Sequence, residues 1–189
     1  MNTNVDGIEV EIDLQGIEGV SLIDSETAGR IMKKWSALLR NFLDVRFTKF
    51  SRGGGDWAPL SPVTIARKRA KASKRGKGRS QEQRMLDSLF DATSILIDTG
   101  VLRTALNAHS PGSITRELFD ANELSVEVGI GGSSKHPSSK NLTIGQIASL
   151  HQYGGKNMPA RPIVVKPDQS VIEEMKQIAI REIKRAKTS

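Results

Sequence analysis

The chain has no cysteine, which removes disulfides, thiolate metal sites and cysteine nucleophiles from consideration. Aromatic residues make up only 4%, so the core has to be assembled from aliphatic side chains. Histidine occurs three times, at His109, His136 and His151, without an H-E-x-x-H pair or another close ligand spacing. Neither a G-x-S-x-G elbow nor a phosphate loop occurs, and Gly53-Gly54-Gly55 leads into Asp56-Trp57 where a phosphate loop would need Lys and then Ser or Thr. Asp56, Asp98, Asp120 and Glu127 supply carboxylates, but in no two-metal nuclease spacing, and Asp98 and Asp120 sit where turns and caps use them. These gaps lead us to expect a protein that is not an enzyme and has no catalytic, metal or cofactor-binding residues. No stretch approaches the roughly 18 apolar residues of a membrane span. The opening MNTNVDGIEVEIDL has neither the basic start nor the apolar run of a signal peptide. The expectation is a cytoplasmic product with no membrane partner, unless an assembly carries it elsewhere.

What is present begins with charge. The net charge is +7, yet RKRAKASKRGKGR holds eight cations (Arg67, Lys68, Arg69, Lys71, Lys74, Arg75, Lys77 and Arg79) and no acid, leaving 20 basic and 21 acidic residues elsewhere. The body is therefore close to neutral and one segment is strongly cationic. Two readings of that segment stand side by side: a solvated loop with no fixed partner, or a stretch that meets an anionic surface.

Periodicity predicts the framework. Ile8, Val10 and Ile12 alternate with acids as in a half-buried strand. Ala28, Ile31, Met32, Trp35, Leu38, Leu39, Phe42, Val45 and Phe50 recur at three-and-four spacing, predicting one long helix from Asp24 or Ser25 to the glycines at 53–55. Ser61-Pro62 suits a helix cap and first turn. Gln81–Ala92 and Val101–Ala108 read as short helices, and Ile114–Phe119 with Leu124–Ile130 as an antiparallel hairpin. Residues 131–141 are rich in Gly, Ser and Lys and read as a mobile surface loop, with His136 exposed in it. Thr143 caps a helix through His151 that Gly154 closes, residues 160–165 are extended, and Ser170-Val171-Ile172-Glu173 matches a capping box opening a terminal amphipathic helix. The sum is an α+β fold: a small, mostly antiparallel sheet packed by a long helix in the N-terminal half and by the C-terminal helix. We expect a single domain over 1–189, with a basic flexible insert at about 66–80 and the Ser/Gly/Lys loop at about 131–141.

Four stretches, in order, are GGGDWAPLSPVTIARK at 53–68, ILIDTGVLRTAL at 95–106, IASLHQYGG at 147–155 and MPARPIVV at 158–165. This succession resembles the phage virion morphogenesis family, the tail-completion proteins of Mu-like and P2-like phages, and the wider set of neck and head–tail joining proteins. It spans about residues 24–186. The chain departs from the pattern in the basic insert between Ile65 and Ser80 and in the loop near Lys135. The resemblance implies a structural virion protein that forms a ring, a hexamer, at the head–tail junction or tail end. Its implied partners are its own copies, other neck and tail proteins and, nonspecifically, channel DNA. The implied location is the virion, reached from the host cytoplasm. A tail-terminator ring or a free nucleic-acid-binding protein are the alternative readings. On the family reading the basic segment faces DNA or an acidic partner ring, and Trp57, Arg103, His151, Tyr153, Pro159, Arg161 and Pro162 are candidate interface residues. Tyr153 apart, each has a plainer alternative: Trp57 as core packing, Arg103 as a solvated cation, His151 as a helix-end group near carbonyls, and Pro159, Arg161 and Pro162 as a rigid turn.

Overall fold

The structure, a computed structural model, describes residues 8–11, 23–75, 93–96, 100–120, 123–137, 139 and 141–188. The expected helix at Gln81–Ala92, the carboxylate Asp98, and Lys77 and Arg79 lie outside the described residues.

Helix α1, Ser25–Ser51, is the spine. Asp24 caps it by accepting the Thr27 amide at 2.7 Å, and Glu26 sits in the first turn, where the helix dipole favours an anion. It ends where Gly53 takes a left-handed φ of +82° and donates its amide to the Phe50 carbonyl. At 1.5 Å per residue its 27 residues span about 40 Å. Its buried stripe runs Ala28, Ile31, Met32, Trp35, Leu39, Leu43 and Phe47. The expected stripe included Val45, which is instead 58% exposed. With 3.6 residues per turn, the face that holds Leu39 continues to Leu43 and Phe47, and Val45 falls on the opposite side.

Strands β1 (Ile8–Glu11), β2 (Ser113–Asp120) and β3 (Glu123–Ile130) form an antiparallel sheet in the order β1-β3-β2. Leu124, Val126, Val128 and Ile130 of the central strand are buried, and α1 packs against that strand. Val126 and Val128 pair in register with Val10 and Ile8. Alternation of this kind is what one-sided burial selects.

Helix α2, Pro62–Arg75, starts as expected, with Ser61 Oγ accepting the Thr64 amide at 3.2 Å. The flexible insert expected from about 66 is helical as far as Arg75, because Ala, Arg and Lys are good helix formers and continue the turn begun at Pro62. Helix α3 covers only Val101–Thr104, shorter than the expected Val101–Ala108. The cause is distant in sequence: Arg40 of α1 takes the Leu106 carbonyl at 2.6 Å, while the Leu106 amide turns tightly back to Arg103. Arg40 also donates to the Ile114 carbonyl at 3.0 Å and to Thr115 Oγ1, fastening α1 to β2.

Helix α4, Ile144–Tyr153, carries a reciprocal capping box between Thr143 and Gln146. Helix α5, Gln169–Lys187, packs along α1 through Met175, Ile178, Ala179 and Ile183. Its cap is Asp168, not the Ser170 box: the Asp168 carboxylate accepts the Val171 amide at 3.1 Å and the Ser170 hydroxyl at 2.6 Å. A charged carboxylate after Pro167 outcompetes a hydroxyl two residues further on, which is left as a donor. Trp35 Nε1 donates to the Met175 carbonyl at 2.8 Å, and buried Glu182 accepts from Lys34 at 2.6 Å and Arg30 at 3.3 Å.

Candidate functional site

Three of the four sequence landmarks are tied together by side chains that donate to backbone. Gly154 ends α4 at φ +77°, and a Cβ there would lie 2.8 Å from the Ala160 amide nitrogen, so only glycine lets the chain double back. The returning stretch of chain is fixed when the Arg161 amide donates to the His151 carbonyl at 2.6 Å. Gln152 completes the seam: its Oε1 accepts the Ile163 and Val164 amides at 2.8 and 3.0 Å, and its Nε2 donates to the Val164 carbonyl at 2.7 Å.

The first landmark is laced into the same seam. The Pro162 carbonyl accepts Trp57 Nε1 at 3.0 Å and Arg46 Nη1 at 2.6 Å. Arg161 in turn donates to the Ala58 and Pro59 carbonyls at 3.0 and 3.2 Å. Trp57, 5% exposed, meets Phe47 and Phe50 edge-on at 5.3 and 5.6 Å, and Arg46 lies 4.1 Å from the Phe50 ring centre. Burial pulls the Arg46 and Arg161 guanidinium groups below their ordinary pKa, with Asp56 opposing the shift at Arg46.

These contacts frame a cleft of about 620 Å³. All four landmarks line it: Pro59, Leu60, Ser61, Pro62, Thr64 and Lys68 from the first, Leu96 and Leu102 from the second, Ile147 and His151 of α4 from the third, and Met158, Pro159 and Arg161 from the fourth. No carboxylate is among its described lining residues. His136 also lines it and is buried, in contrast to the exposed position expected for it. The described part of its loop is bonded back on itself, through the His136 amide to the Leu142 carbonyl and the Ile144 amide to the Ser134 carbonyl, because buried backbone groups need partners. His151 is pushed down to about 4, first by burial and then by Arg161 and His136, and its Nδ1 is buried without a hydrogen bond.

The candidates named from sequence thus fall into different places. Trp57, Arg161, Pro162 and the His151 backbone hold the seam together, while Pro159 and Tyr153 are exposed, the latter by 65%. Arg103 is half-exposed and donates from Nε and Nη2 to the two carboxylate oxygens of Asp44 on α1, at 2.9 and 3.2 Å, so its partner carboxylate is in the same chain. Along α2, Arg67 and Arg69 are exposed, whereas Lys68 turns in to donate to the Ser94 carbonyl at 2.6 Å. Lys71, Lys74 and Arg75 continue that helix. Of the candidate carboxylates, Asp56 is exposed and Glu127 pairs with Arg116 at 2.9 Å. Among the described residues no group of three or more His, Asp or Glu is placed to hold a metal ion, and no helix is long and apolar enough to cross a membrane.

Sequence reasoning did not single out Gln152, Arg46 or Arg40. Arg40 carried a usable signal, since it lies four residues from Ser36 and three from Leu43 on the buried face of α1. Gln152 and Arg46 carried none, because their partners lie 11 and 116 residues away. No family model, curated protein or solved structure matches the chain.

Proposed function

We propose that this protein is a non-enzymatic structural subunit of a tailed-phage particle, a tail-completion or head–tail joining protein that works within a ring, with six copies as the resemblance implies. Its partners on this reading are its own copies and neighbouring neck or tail proteins, and its place is the virion. The observation that carries the reading is the convergence of four separate sequence landmarks on one cleft. Landmarks that only filled a core would have no reason to meet at a shared surface opening. The cleft's chemistry suits docking: aliphatic and proline walls, with guanidinium and imidazole groups held by burial and backbone contacts. A tail-terminator ring would use the same features.

The exposed Arg67 and Arg69 on α2 favour a second reading, a basic nucleic-acid-binding protein acting alone. Native mass determination of the purified protein, alone and with tail components, separates the two. A ring, or a stable complex with a tail protein, supports the proposal. A monomer that binds DNA and leaves it as salt rises supports the alternative and contradicts the proposal.

A further inference from the structure

Among the described residues the exposed large hydrophobic side chains are Val45, Val63, Leu118, Phe119, Leu142, Leu150 and Tyr153, and two groups of them bear on the cleft. Val63 and Leu150 are close in sequence to residues that line the cleft, while Leu118, 61% exposed, and Phe119, 41% exposed, stand at the tip of the β2–β3 hairpin. The two places are chemically complementary. The cleft offers Leu60, Leu96, Ile147 and Met158 with the cations Lys68 and Arg161, and no acid is among its described lining residues. The hairpin tip reads Glu117-Leu118-Phe119-Asp120, with Glu117 exposed on the same face of the strand as Phe119 and Leu118 exposed on the other.

The tip cannot reach the cleft of its own chain. At the other end of the strand, Gly112 lies so close to Ile144, the first residue of α4, that a Cβ would come within 2.7 Å of its Cγ2. The cleft-lining residues Ile147 and His151 follow on that same helix. A strand of eight residues rising about 3.3 Å each carries the tip roughly 25 Å from this base. The strand is paired along its length with β3, so it cannot fold back.

We infer that the hairpin tip of one subunit seats in the cleft of a second copy of this chain, with Leu118 and Phe119 against the apolar walls and Glu117 toward the cations. The contact joins two different surfaces, so it is head-to-tail, and repetition gives a closed ring when the rotation per subunit divides the circle. This rests on the ring reading above and adds which surfaces meet.

Two variants of the full chain test it, Leu118→Asp at the tip and Met158→Asp in the cleft, each checked for an unchanged thermal midpoint and measured by native mass beside the parent. Each variant alone is expected to be a monomer, because one half of every contact is lost. Mixed in equal amounts, they are expected to give a dimer of about twice 20.6 kDa and nothing larger, since only the intact tip of one fits the intact cleft of the other. If the parent is a ring and both variants remain rings, or if the mixture yields no dimer, the tip-to-cleft contact is wrong and the ring reading stands. If the parent is a monomer at every concentration, both fail. Should Met158→Asp not fold, Lys68→Glu replaces it, with the added expectation that Glu117→Lys in the neighbouring copy restores the contact.

Discussion

His151 and Glu182 are two side chains whose surroundings make the stability of this protein depend on acid. His151 is held down to about 4 from an ordinary 6.5, so between those values the unfolded chain binds a proton that the folded chain refuses. Stability is whole above pH 6.5 and falls as the pH drops toward 4, by up to about 3 kcal/mol if the full shift applies. Thermal unfolding across that range should show the slope, and His151→Leu should flatten it; an equal slope in the variant would contradict the assignment. Glu182 acts lower. The hydrogen bond from Lys34, with Arg30 beside it, holds its carboxyl below the ordinary 4.5, so its contribution is present above that value and is lost as the pH falls through the lowered folded value. Glu182→Gln at neutral pH should cost about 1.5–3 kcal/mol, the range for hydrogen bonds to charged groups, as read by urea denaturation. Neither residue announces this in sequence: Glu182 reads as one more polar position on an amphipathic helix until α1 is laid beside it.

Elements with a strong repeating pattern are legible in the amino-acid sequence itself. The α1 and α5 stripes and the β3 alternation are local properties that recur every few residues, and burial selects them directly. The length of α3, the cap of α5 and the Gln152 seam are not legible there, because each is decided by a partner chosen from elsewhere in the chain or from competing local acceptors. Long-range side-chain-to-backbone bonds leave no period to read. At this scale Gly154→Ala should destabilise by about 1–3 kcal/mol, since it combines a left-handed φ with a close approach to Met158 and Ala160. It should also open the seam, seen as faster amide exchange at Arg161 and Ile163. For α2, replacing Arg67, Arg69 and Lys71 by Gln keeps helix propensity and the Lys68 bond to Ser94, so the thermal midpoint should stay within a few degrees. If the helix faces an anionic surface, attachment should weaken, with the largest difference from the parent at low salt, where screening is least. Unchanged attachment at every salt concentration would make the segment a solvated face.

For the whole molecule, the architecture is a small sheet braced by the long helix α1, with α5 packed along that helix, a laced cleft lined by all four landmarks, and an apolar hairpin tip at the far end of β2. Placed in a ring, such a subunit brings copies of α2 together, and their cations repel unless DNA or an acidic neighbour lies alongside; at physiological salt, screening over about 8 Å softens but does not remove that penalty. A ring at the head–tail junction supplies either partner, which links the basic helix to the same proposal as the cleft. The most direct test is electron microscopy of phage lysates made without this protein. The account predicts heads and tails that are built but not joined, or tails left unfinished. Normal numbers of intact, infectious particles would contradict it.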